Sequence, residues 1–144
     1  MKSLTVTLIL TFALAGVLMA AGNPSTNKEI NQNTIASLFT GLNSNNLGLK
    51  SSSAYMLGEL KVAGAVISLM KILHGDKNED LRIAAALALY KIGTPLAINA
   101  VKQSARFDNS QRVSKLCANF YNEYHKNKFD DEEKYEYAVI SVEK

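Results

Sequence analysis

Residues 49–60 and 81–92 overlay at a constant offset of 32, and this self-similarity constrains the fold more than any other feature of the sequence. The overlay pairs Leu49 with Leu81, Lys50 with Arg82, Ala54 with Ala86, Leu57 with Leu89 and Leu60 with Ile92. The same offset continues downstream, pairing Ala65 with Ala97, Val66 with Ile98 and Leu69 with Val101. A period of about 30 residues means one supersecondary unit per copy, each unable to bury its apolar face without a neighbour.

Each unit reads as two helices. Leu81, Ala84, Ala85, Ala88, Leu89 and Ile92 recur at helical spacing and lay a continuous apolar stripe along one face. The alanines, like Ser52 and Ser53 in the earlier copy, let neighbouring helices approach closely. Gly93-Thr94-Pro95 then stops one helix and starts the next: glycine for the stop, threonine for the cap, proline for the first helical position. A second amphipathic segment follows over 96–106. Gly75-Asp76-Lys77-Asn78 and Asp108-Asn109-Ser110 are polar turns ahead of the next helix. A third, degenerate copy begins at Gln111-Arg112, keeps Ala118, and places Lys115 and Asn119 at positions that were small or apolar, as a terminal capping unit should. Upstream, Ile30, Ile35, Leu38, Phe39 and Leu42 make the stripe of a lone helix from an incomplete first unit. The turn Asn43-Ser44-Asn45-Asn46 joins it to the repeats. The expected fold is therefore all-α, a short right-handed α-α superhelix of about two full repeats with degenerate terminal ones.

Composition agrees. There is no Trp, with only 2 Pro and 8 Gly in 144 residues, so breakers are scarce and long helices are favoured over a many-turned β fold. Hydrophobic residues at 47% supply a core without suggesting several membrane spans. The net charge of +3, or +2 with Lys2 set aside, is too small to imply nucleic acid.

The first residues carry their own pattern. Lys2 precedes an apolar run from Leu4 to Leu18, and small residues Ala20-Ala21-Gly22 precede the polar Asn23-Pro24-Ser25-Thr26-Asn27. A positive start, an apolar core and small residues before a polar stretch are the parts of a secretory signal peptide. The reading divides the chain into a signal peptide over 1–22, a polar mature N-terminus over 23–27, a repeat domain over 28–125 and a charged tail over 126–144. An uncleaved membrane anchor is the alternative for the first segment. Leu14-Ala15-Gly16 resembles the start of a bacterial lipobox, but Val17 stands where the acylated cysteine must be, so the product is not lipidated. In the tail, residues 135–142 have β-type composition with partial alternation and would suit a short strand.

The stretch 81–95, Leu-Arg-Ile-Ala-Ala-Ala-Leu-Ala-Leu-Tyr-Lys-Ile-Gly-Thr-Pro, resembles the HEAT-like repeat of the phycobilin-lyase type. That family runs apolar-Arg-x-Ala-Ala-x-x-Ala-Leu-Gly-x-Ile-Gly-[Asp/Thr]-Pro. Tyr90 replaces its inner Gly, whereas the earlier copy keeps Gly58 but has Ser52-Ser53 for the Ala pair. The resemblance covers about residues 49–121. It implies an armadillo-like solenoid whose second, inner helices line a concave binding groove. Helical phase then turns Ser68, Lys71 and His74 outward in one unit, and Asn99, Lys102, Gln103 and Arg106 in the next. Lys71, Lys102 and Arg106 would form a mildly basic strip for an acidic patch on a protein partner.

No HExxH, CxxC, GxSxG or phosphate-loop pattern occurs, and no metal or cofactor is expected. The two histidines, His74 and His125, lie in different units, and His74 suits the negative end of a helix. Asp130-Asp131-Glu132-Glu133 lacks the spaced ligands of a calcium loop and reads as a solvated linker. The single cysteine, Cys117, excludes an intramolecular disulfide and sits among apolar neighbours as a small core residue, an intermolecular disulfide being the alternative. The expected protein is non-catalytic: a protein-interaction module outside the cytoplasm, secreted or periplasmic, with no membrane span left after cleavage. An accessory subunit or lyase-type chaperone for an envelope enzyme or cofactor is the alternative. With so few repeats, the open ends call for capping segments or for self-association into a homo-oligomer.

Overall fold

The period acts first through helix starts. In the computed structural model, which describes the backbone of residues 31–142 and the side chains of 31–130, a capping side chain recurs every 32 residues. Asn46 Oδ1 accepts from Leu49 N–H (3.0 Å), Asn78 Oδ1 from Asp80 and Leu81 N–H (2.9 and 3.1 Å), and Ser110 Oγ from Val113 N–H (3.4 Å). Each satisfies amide groups that the first turn leaves without a partner. The helices that follow are α2 (Leu47–Glu59), α4 (Glu79–Ile92) and α6 (Gln111–Val142). Between them lie α3 (Val66–Gly75), entered through the short 3-10 turn Ala63–Ala65, and α5 (Pro95–Phe107); α1 (Gln32–Leu42) comes before them. Every described element is helical.

Two rows result. The first helices α2, α4 and α6 lie side by side, while α1, α3 and α5 pack onto α2, α4 and α6 respectively. The core runs between the rows through Leu57, Leu69, Leu73, Leu89, Val101, Val113 and Cys117, all of them fully buried. Removing each large side chain from water contributes about 1.5–3 kcal/mol. Burial also pushes the Cys117 thiol up to about 12, with the Asp108 carboxylate adding to the shift.

The Gly93-Thr94-Pro95 stop is built as its residues require. Gly93 is left-handed at φ 70°, Thr94 Oγ1 accepts from Ala97 N–H at 3.3 Å, and Pro95 opens α5. The equivalent stop after α2 has Lys61 in the left-handed region at φ 48°, a conformation in which its Cβ is strained.

The tail departs from expectation. Residues 135–142 do not form a strand, because α6 continues without a break to Val142. Between Gln111 and Val142 there is no Gly or Pro, and a helix satisfies its own backbone, whereas a lone strand beside helices has no ladder partner. The signal peptide, the polar stretch 23–27 and Ile30 lie outside the described residues. No helix among the described residues is long and apolar enough to cross a membrane.

Candidate functional site

The row α1–α3–α5 holds all seven side chains that helical phase turned outward. Ser68 and Lys102 are half-buried, and Lys71, His74, Asn99, Gln103 and Arg106 are exposed. Four of them line two clefts. Ser68 and Lys71 line a cleft of about 360 Å³ between α1 and α3, with Leu42, Asn43, Lys50 and Asp76. His74 and Gln103 line a larger cleft of about 520 Å³ between α3 and α5, with Lys77, Arg82, Ser104, Phe107, Asp108 and Asn109. Asn99, Lys102 and Arg106 line neither, and the Lys102 ammonium lies 5.5 Å from the Tyr121 ring centre on α6.

The larger cleft is organised by Arg82, in the first turn of α4. Its Nε and Nη2 donate to the two carboxylate oxygens of Asp108 at 3.0 and 2.9 Å, and its Nη1 donates to the Asp76 carbonyl at 2.9 Å. Asp108 also accepts from Ser110 N–H at 2.8 Å. Burial alone would raise the Asp108 carboxyl, but the hydrogen bonds from Arg82 and from the Ser110 amide outweigh it and hold the group below its ordinary value. The Arg82 guanidinium is raised in turn, first through its hydrogen bond to Asp108. In the preceding repeat, Lys50 reaches Asp76 with a single contact at 3.4 Å. Both pairs span 26 residues and occupy equivalent positions.

Arg82 and Asp108 were not among the outward-facing candidates, although Asp76 and Asp108 recur at the offset of 32. Phe107 was missed as well. It closes α5 with its ring 74% exposed at the rim of the cleft, and no sequence period signals that exposure.

Ser104, which is buried, has its Oγ 3.4 Å from His74 Nδ1, and the Asp108 carboxylate is hydrogen-bonded to Arg82 and to the Ser110 amide. Among the described residues, no group of three or more His, Cys, Asp or Glu side chains could hold a metal ion. What the cleft offers is a neutralised polar floor, amide and imidazole groups from Gln103, Asn109 and His74, and one exposed aromatic ring.

Stacked helix pairs of this kind define a helical-repeat protein. The HEAT repeats family matches residues 35–119, more than half of the chain, and the protein belongs to that family. HEAT repeats generally mediate protein–protein interaction and are typically non-catalytic scaffolds. No curated protein matches the chain.

Proposed function

We propose that the protein is exported and acts outside the cytoplasm as a non-catalytic interaction module, holding a protein partner in the cleft between α3 and α5. The observation that carries this reading is Phe107, an aromatic ring 74% exposed beside His74, Gln103 and Asn109. Exposed aromatics beside polar groups are the usual anchors of protein interfaces. Secretion or periplasmic location rests on the order of charge, apolar run and small residues over 1–22.

Affinity capture of the tagged protein from the envelope fraction of its own cells tests the reading. Phe107→Ala should lower recovery of the co-purifying partner by about tenfold or more. Charge reversal at Lys102 and Arg106 should lower it less, since neither lines the cleft. Unchanged recovery with Phe107→Ala would remove the cleft from the proposal. A protein still carrying Met1 in the cytoplasmic fraction would remove export.

A further inference from the structure

Positions that the repeat buries in its second copy stand open in its first. Leu49 is 51% exposed and its equivalent Leu81 2%; Met56 is 41% exposed and its equivalent Ala88 0%. Ala88 lies against Gly58 on the side of α4 that packs on α2, and Leu81 stands seven residues before it on the same helical face, whereas no first helix precedes α2 among the described residues. Ser52 lies between Leu49 and Met56 at helical spacing and is exposed too. The outer face of α2 thus continues the surface that joins α2 to α4, with Leu49 beside Gly41 of α1 and with Ser52 and Met56 also bordering a cleft of about 490 Å³ with Ala84 and Leu87 of α4.

The chemistry of the two ends decides what can cover it. The stripe Leu49, Ser52, Met56 carries no charge, and the neighbouring Lys50 is turned to Asp76. At the opposite end, α6 exposes Lys115, Asn119, Asn122 and Glu123. Head-to-tail stacking would bury those polar groups against Leu49 and Met56 at a desolvation cost. Head-to-head contact sets apolar on apolar with no like charges opposed, and it closes after two copies. We infer that this face of α2 docks on the same face of a second copy of the chain, giving a two-fold dimer. The inference rests on the export reading in one respect. Once residues 1–22 are removed, only residues 23–31 precede α1, a polar stretch containing Pro24. It is shorter than the 13 and 14 residues of α2 and α4.

Sedimentation velocity of the protein purified from the envelope fraction, from about 1 to about 200 µM, tests it. The expected result is a concentration-dependent passage from one chain to two. Met56→Lys should weaken association by about tenfold or more with an unchanged melting temperature, and Lys115→Glu should leave the dimer intact. If Met56→Lys fails to fold, Ser52→Arg makes the same test from an exposed polar position. A monomer at every concentration overturns the inference, including one whose Met56→Lys variant loses capture of a different protein. So does a dimer indifferent to the α2 substitutions, or an open-ended series of larger oligomers. N-terminal sequencing of the same preparation reads processing separately: a retained Met1 overturns export, while a dimer lost with Met56→Lys stands.

Discussion

The seam between α2 and α4 and the seam between α4 and α6 are made from the same positions of the repeat and differ in width. At the first, Gly58 lies against Ala88, so close that a Cβ on Gly58 would stand 2.6 Å from the Ala88 Cα. At the second, the equivalents are Tyr90 and Phe120, stacked with ring centres 5.5 Å apart. The first seam is a backbone-to-backbone approach at Gly58, bridged also by the Lys91 ammonium, which pairs with Glu59 and lies over the Tyr55 ring. The second is held by side chains: the aromatic pair, the Arg82 fork on Asp108 just ahead of α6, and Tyr124, whose hydroxyl donates to the Gly93 carbonyl at 3.1 Å. A cavity of about 460 Å³ borders both seams, lined by Gly58, Glu59 and Lys61 as well as by Tyr90, Gly93 and Tyr124. Where two backbones touch, steric fit is the critical quantity; where side chains bridge a gap, polar bonding is.

That difference can be broken from either side. The largest effect belongs to Arg82→Ala, which leaves the Asp108 carboxylate buried with only the Ser110 amide as partner. A loss of about 3–5 kcal/mol is expected in denaturant unfolding. Lys50→Ala, removing one longer and more exposed contact, should cost about 1 kcal/mol or less. Equal losses would contradict the assignment of polar bonding to the second seam. Next, Gly58→Ala should destabilise by about 1–3 kcal/mol through overpacking at the first seam. Gly75→Ala, with open space around its Cβ site, should not destabilise in that way.

Acid should separate the seams further. The Asp108 carboxyl sits below its ordinary value of 3.8 in the folded chain. Its contribution is therefore complete above about pH 4 and lost as pH falls through the folded value. Stability should decline on that limb in the parent protein and decline less steeply in Arg82→Ala, where the depression is gone. A smaller gain is expected from Lys61→Gly, about 1 kcal/mol, because glycine relieves the left-handed strain that its equivalent Gly93 avoids. The smallest change is kinetic. Cys117, buried on α6 with its thiol near 12, should ignore a disulfide reagent at pH 8 in the folded protein. It should react faster in Arg82→Ala, and a variant with no rise in thiol reactivity would show that the second seam stays closed without the fork.

Much of this was legible in the sequence where the period acts on local chemistry. The Gly93-Thr94-Pro95 stop and the lone first helix depend on residues a few positions apart, and the pairings at 32 residues repeat such local patterns. The core role of Cys117 follows from its apolar neighbours, and it is fully buried. Three features escaped for different reasons. The Arg82–Asp108 fork joins residues 26 apart, and only the folded turn brings them together. The placing of Lys102 against Tyr121 is a contact between helices, which phase within one helix cannot report. Residues 135–142 have strand composition but become helix, since β propensity expresses neighbours that this stretch lacks.

Gly58 also fixes a spacing. Where its backbone meets Ala88 no side chain stands between the two helices, so their distance at that point cannot be adjusted by a change of rotamer. At the equivalent point of the next joint the Tyr90 and Phe120 rings carry the contact, and there a rotamer change can alter the distance.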